Sequence, residues 1–295
     1  MEGNVKRRGT TTEDDITAEV MRRFETTEDP RLRKIMLSLV RHLHAFVKDV
    51  ALTEAEWFKA IQFLTKTGHM CSDLRQEFIL LSDTLGVSMV VDLISHRKAA
   101  GATESTVFGP FHRDGAPVLP AGSNIAPRDE QGTPTIVSGR VLNLEGHPIE
   151  GAVLDVWQVD SAALYDSQYP DSDELHMRGK FKTDREGRFL FRTTRPVRYA
   201  IPSDGPVGEM LNATGRHPWR PAHIHFVVTA DGYDPVTTHI FDDIDEYLRS
   251  DTVFAVKESL ICNFARHDAR DEAATRYGIE PPFCTVEFDF VLQKT

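Results

Sequence analysis

His223 and His225 stand two residues apart in Arg220-Pro221-Ala222-His223-Ile224-His225-Phe226, which runs on into Val227 and Val228. The apolar residues read as a β-strand, bounded ahead by Pro218 and Pro221 and behind by Ala230-Asp231-Gly232. Side chains alternate across a strand, so both imidazoles share one face and converge on a point just off it. Two imidazoles placed this way are half of a metal site. The same spacing also suits a histidine capping a loop beside one filling a core.

Further ligands do not come from the usual patterns. There is no His-Glu-x-x-His, no acidic residue at a short offset on the same strand, and no Cys-x-x-Cys. Tyr165, in the loop leaving the Trp157 strand, and Tyr199, in Arg198-Tyr199-Ala200-Ile201-Pro202, both leave strand ends that can surround the histidine pair. Two phenolates with two neutral imidazoles would suit ferric iron, a cation able to draw the proton from a phenol of pKa about 10. As amphipathic side chains, the same tyrosines serve equally well as loop anchors.

The elements that must carry these residues change type along the chain. Ile16, Val20 and Phe24 begin a helical stripe, and a stronger one runs from Leu32 to Val50 at spacings of three and four. Thr53-Glu54-Ala55-Glu56 is a capping box opening a helix with Trp57, Phe58, Ile61 and Leu64. Further helical stretches follow at Phe78-Leu81 and Met89-Ile94. The third and fourth are apolar on more than one face, which predicts burial on two sides. From Gly101 to Pro134 the chain is rich in Gly, Pro, Ser and Asn and reads as a long ordered connection, with Val107, Phe108 and Phe111 to be buried. Thereafter the period is two: strands at Ile136-Val141, Ala152-Trp157, Arg188-Arg192, the His-x-His segment, Thr237-Phe241 and Thr285-Val291. The expected fold is mainly β with a helical N-terminal region: helices over residues 1–105, and a β-sandwich over 106–295 carrying the metal site.

Composition sets outer limits. A formal net charge of −11 over 295 residues leaves no basic surplus for nucleic acid or an anionic membrane. Met1-Glu2-Gly3-Asn4-Val5-Lys6-Arg7-Arg8 leads into Thr- and Asp-rich sequence, so no signal peptide and no membrane span are expected. Cys71, Cys262 and Cys284 are odd in number and far apart, as expected of reduced thiols in the cytoplasm. The Asp242-Asp243-x-Asp245-Glu246 cluster reads as a solvated turn.

Leu164-Tyr165, Arg198-Tyr199-Ala200-Ile201-Pro202-x-Asp204-Gly205-Pro206 and the long run Gly215-Arg216-His217-Pro218-Trp219-Arg220-Pro221-Ala222-His223-Ile224-His225 resemble the intradiol ring-cleaving dioxygenases. The similarity spans nearly the whole chain. Asp83 in Leu80-Leu81-Ser82-Asp83, Val107-Phe108-Gly109-Pro110 and Asp251-Thr252-Val253-Phe254-Ala255-Val256-Lys257 are most similar to its hydroxyquinol branch.

The resemblance implies Fe(III) held by Tyr165, Tyr199, His223 and His225, with solvent hydroxide completing the site. It implies dioxygen and an aromatic diol or triol as substrates, hydroxyquinol foremost and catechol or chlorocatechol as alternatives. Arg220 would stabilise charge on the ring, and Tyr199 would take up a substrate proton. Asp83 would read the extra ring hydroxyl, although a helix-end carboxylate can also be merely solvated. Leu80, Val107, Phe108, Gly109, Pro110, Ile201, Pro202 and Phe254 would form the pocket wall. His239 stands where catechol-cleaving members commonly carry glutamine; it would hydrogen-bond near the iron without ligating it. The family's helical region implies a homodimer contact, with a phospholipid between subunits. The rival from another class is a non-catalytic sandwich binding module with a structural His-x-His.

Overall fold

The computed structural model describes residues 11–72, 75–127, 130–169 and 174–295. The opening residues 1–10, expected to carry no signal peptide, lie outside the described residues. Contacts divide the chain into two compact units, residues 1–66 and 67–295.

The first unit is helical. α1 (Glu13–Phe24) is opened by a reciprocal cap between Thr12 and Asp15, and α2 (Pro30–Asp49) by Asp29, whose carboxylate accepts from the Arg31 and Leu32 amides ahead of Pro30. α1 and α2 are joined by Thr17 to His44 at 3.0 Å and Lys48 to Asp14 at 2.8 Å. α3 (Glu54–His69) begins at the expected Thr53–Glu56 capping box and runs across the division between the units. Its expected two-sided burial is not found: Trp57 and Phe58 are each 54% exposed, as are Leu39, Leu43 and Phe46 of α2 to about the same degree. The apolar stripes are present and stand exposed among the described residues.

The second unit opens with α4 (Glu77–Thr84) and α5 (Val87–Ser95), separated by Gly86 in the left-handed region. α4 is buried on one side only, through Leu80, Leu81, Asp83 and Thr84, while Phe78 and Ile79 are exposed. Among the described residues no single helix is long and apolar enough to cross a membrane. The remaining elements are β1 (Pro134–Asn143), β2 (Val153–Trp157), β3 (Arg178–Lys182), β4 (Arg188–Thr194), β5 (Tyr199–Ala200), α6 (Pro206–Ala213), β6 (Trp219–Arg220), β7 (His223–Thr229), β8 (Val236–Asp242), β9 (Ile261–Cys262), β10 (Ala265–His267), α7 (Glu272–Tyr277), β11 (Phe283–Glu287) and β12 (Phe290–Leu292).

Two sheets enclose the core. One has the order β3-β2-β7-β8-β9; the other runs β10-β11-β1-β12 with β4 also on β1. Leu154, Val156, Ile224, Phe226 and Ile240 of the first pack with Val137, Phe191, Val286 and Phe290 of the second, all nearly solvent-free. The expected closing strand divides in two because β11 and β12 both pair parallel with β1 around a break at Phe288-Asp289. There the Phe288 amide donates to Ser138 O and the Asp289 carboxylate accepts from the Arg140 amide. A Cβ at Gly139 would lie 1.8 Å from the Phe288 carbonyl oxygen, so only glycine fits that position.

Candidate metal centre

Register places the key side chains. His225 of β7 lies opposite Trp157 of β2 on one side and His239 of β8 on the other, so one row crosses three neighbouring strands. Trp157 stacks on the His225 ring at 4.6 Å and 14°, and His239 packs against it at 4.0 Å. His223, two residues earlier, shares that face, and its Nε2 lies 3.1 Å from His225 Nε2. Both imidazoles and the third, His239, are buried. The His223 Nδ1–H donates to Pro221 O at 2.7 Å, which leaves the Nε2 lone pair facing the centre.

The tyrosines arrive from two loops. After β2, the Asp160 carboxylate accepts from the Ala162 and Leu164 amides, and Ala163 takes a left-handed conformation. That turn drops the buried Tyr165 hydroxyl 3.0 Å from His225 Nε2, while the Arg178 guanidinium grips Asp166 next door. Tyr199 is delivered by the short β5–β6 ribbon, where it pairs with Arg220. Its hydroxyl accepts from Arg220 Nη1 at 3.2 Å, and its ring meets Tyr165 edge-on at 5.4 Å. The structure thus brings Tyr165, Tyr199, His223, His225, Arg220 and His239 together.

The electrostatics of this cluster ask for a cation. Burial pushes all three imidazoles well below the ordinary histidine range, with cationic Arg220 adding to it, so they are neutral donors. Burial, then the neighbouring Tyr199, raises Tyr165 well above the ordinary phenol range. Burial opposes the Arg220 charge, but Tyr199, Asp251 and Tyr165 outweigh it and raise its pKa further. His223 Nε2 and His225 Nε2 converge to 3.1 Å beside the Tyr165 hydroxyl, with Arg220 Nη1 3.3 Å from His223 Nε2, so several nitrogen and oxygen donor atoms crowd one buried point. Among the described residues, Arg220 Nη2, His225 Nδ1 and His239 Nε2 are moreover buried without hydrogen-bond partners. His223, His225 and His239 form a cluster able to hold a metal ion, and the adjoining phenols add oxygen donors of the kind a hard cation takes.

The remaining expected residues are placed unequally. Asp83 is buried rather than solvated: it is 4% exposed, and burial raises its carboxyl pKa while the Ser88 side-chain hydrogen bond and then nearby Arg220 partly offset this. Leu80, Val107 and Ile201 are buried, and Pro202 is half-buried. Gly109, in the left-handed region, lays its backbone on the His225 ring, where a Cβ would meet Cε1 at 3.4 Å. Pro110 is exposed. Phe108, expected inside, is 47% exposed; its ring lies 5.8 Å from Trp157, on the rim of the imidazole stack. Phe254 is 52% exposed, beneath the Arg216 guanidinium, on a cleft of about 440 Å³ with His217, Asp251 and Thr252 on its walls. Asp242, expected in a solvated turn, is instead buried and holds Arg195 at 2.6 and 2.9 Å.

Three contributors escape the sequence reading, among them Thr106, whose hydroxyl meets His239 Nδ1. Asp251 pairs with Arg220 across 31 positions, and Trp157 covers His225 from another strand. Asp251 stands in a quoted motif, but spacing alone gives no sign of its partner.

Residues 107–294 match the family model described as Dioxygenase, and residues 29–103 match Catechol dioxygenase N terminus. The chain is 48% identical to hydroxyquinol 1,2-dioxygenase of Rhizobium sp., over 93% of each chain. It is also 48% identical to 6-chlorohydroxyquinol 1,2-dioxygenase of Cupriavidus pinatubonensis, over 95% of this chain and 97% of that one. The solved structure of hydroxyquinol 1,2-dioxygenase from Pseudomonas putida superposes with a TM-score of 0.90 at 50% identity, covering 96% of this chain and 99% of that one. With both family models matched along most of its length and a buried imidazole–phenol cluster at its centre, this chain belongs to the intradiol ring-cleaving dioxygenases.

Proposed function

We propose that the chain opens hydroxyquinol (benzene-1,2,4-triol) with dioxygen between its adjacent hydroxylated carbons, giving 3-hydroxy-cis,cis-muconate, the enol form of maleylacetate. The observation that carries the substrate choice is Asp83, a buried carboxyl within electrostatic reach of Arg220. Its carboxyl already meets the Ser88 side chain, and its remaining lone pairs can accept from a third ring hydroxyl that catechol lacks, which makes such a site discriminating. The names of the relatives point the same way.

Tyr165, Tyr199, His223 and His225 are the residues that would hold Fe(III), by donor chemistry and by their converging atoms. When bound, ferric iron supplies Lewis acidity that ionises the diol and makes the ring, rather than dioxygen, the activated partner. The protein does the rest. Tyr199 Oη, beside Arg220 Nη1, takes up a substrate proton. Arg220 Nη2, buried and unpartnered, is the donor for negative charge that develops on the ring. Leu80, Val107, Ile201 and the Gly109 backbone keep water from the ring.

The same reading assigns residues 106–295 to catalysis, joined by Leu80 and Asp83 at the substrate, and the helical residues 1–105 otherwise to a homodimer contact with phospholipid between subunits, supported by the exposed Leu39, Phe46 and Trp57. It places the enzyme in the cytoplasm. Oxygen uptake with hydroxyquinol and with catechol, after subtraction of autoxidation, tests the function. Faster uptake with hydroxyquinol is expected; faster uptake with catechol would overturn the substrate and keep the reaction class.

A further inference from the structure

His239 presents a ring nitrogen to the centre with nothing to bind. Its side chain is fully buried, packed against the rings of His223 and His225, and among the described residues its Nε2 has no hydrogen-bond partner. A neutral imidazole there has two possible roles. With its proton on Nδ1, the Nε2 lone pair is one more metal ligand; with its proton on Nε2, the ring is a hydrogen-bond donor.

Thr106 decides between them. Its hydroxyl meets His239 Nδ1, and among the described residues that is its one hydrogen-bond contact. The Thr106 amide donates to Thr237 O at 2.8 Å, and the Thr238 hydroxyl donates to Glu104 O at 2.7 Å. These two bonds fix the backbone of residues 104–106 along β8 and so set the Thr106 side chain against the His239 ring. Were Nδ1–H the donor, the buried hydroxyl proton would have no acceptor. When the hydroxyl donates to Nδ1, that side of the ring is satisfied and the imidazole proton sits on Nε2.

We propose that Thr106 is a positioning residue that fixes His239 as an Nε2–H donor aimed into the metal centre, where it binds a small anionic oxygen ligand instead of the metal. This rests on the ferric reading above. The anion it fits is a hydrogen-bond acceptor of hydroxide size or an ionised substrate oxygen.

Fluoride is the probe: it is hydroxide-sized, accepts hydrogen bonds and undergoes no redox chemistry. It is titrated into the iron-loaded protein and followed through the visible phenolate band. Thr106→Val removes the hydroxyl and keeps the shape; fluoride should then bind about tenfold more weakly or worse, with a shifted band as Nε2 turns to the metal. Thr106→Ser should restore both, and His239→Gln, which keeps an amide donor, should bind fluoride better than His239→Leu. Equal fluoride affinity in the parent and Thr106→Val, at equal iron content, overturns the proposal and leaves the ferric reading intact. Two-bond proton–nitrogen correlation spectra of the metal-free and Ga(III)-loaded protein read the tautomer directly. Protonation of His239 at Nε2 is expected, and protonation at Nδ1 overturns the proposal. A protein that takes up no iron contradicts the ferric reading instead, and the tautomer measurement still decides the role of Thr106.

Discussion

Arg220 and Asp251 form a buried ion pair: Nε lies 3.3 Å from Oδ1, and neither side chain is more than 3% exposed. The carboxylate also accepts from the Val253 amide at 3.3 Å and the Ala255 amide at 2.9 Å, so it is a rigid anchor. It holds the guanidinium between Tyr199 and His223. Asp251→Ala leaves a buried cation without its counter-charge and is expected to cost about 3–5 kcal/mol of stability. In protein that still folds, kcat should fall by a larger factor than KM changes. Urea unfolding and steady-state kinetics check this, with Asp251→Asn expected to lose less of both because it keeps an acceptor.

Asp83 carries a pH signature as well as a specificity role. Its native carboxyl titrates above the ordinary aspartate value because burial penalises the charge. Between the unfolded and native pKa values the folded state binds more protons, so stability falls as pH rises through that window, and the loss persists above it. Asp83→Asn removes the charge. The variant should therefore be more stable than the parent at pH 7, with the difference vanishing in acid below the unfolded value. It should also lose most of its preference for hydroxyquinol over catechol, as read from paired kcat/KM values.

Tyr199→Phe deletes one proposed phenolate donor without changing the ring. The iron-loaded parent should be wine-red from phenolate-to-iron charge transfer, and the variant should show a shifted, weaker band and slower turnover. An unchanged spectrum would remove Tyr199 from the ligand set. Reduction followed by chelation should bleach the parent and abolish oxygen uptake, and ferric iron should restore both.

Gly109 sits at φ +76° with its backbone against His225. Gly109→Ala puts a side chain in a left-handed conformation, at a cost of about 1–2 kcal/mol, and sets a methyl in contact with the imidazole, so that relaxing the backbone strain shifts the ring. Faster iron loss to a chelator is expected, together with a lower melting temperature. Gly115→Ala, also left-handed but with open space around the Cβ, is the control that should lower the melting temperature without changing iron retention.

The order of elements was legible in the sequence because it depends on local periodicity. Spacings of three and four gave α1 to α5, the Thr53–Glu56 capping box opened α3, and alternation gave β1, β2, β4, β7 and β8. β3 was invisible because Arg178-Gly-Lys-Phe-Lys182 carries one large apolar residue, and its pairing with β2 is decided by the partner strand. The centre divided in the same way. His223 and His225 announced themselves through a two-residue repeat, and Tyr165, Tyr199 and Arg220 through motifs. What only the tertiary structure decided is which distant residues complete them: Trp157 and His239 beside His225 through strand register, Asp251 on Arg220, Thr106 on His239. It also decided that Asp83 is buried while Phe108 and Phe254 are exposed. Periodicity records which face a residue takes on its own element, whereas burial and charge pairing depend on what the rest of the chain brings to that face.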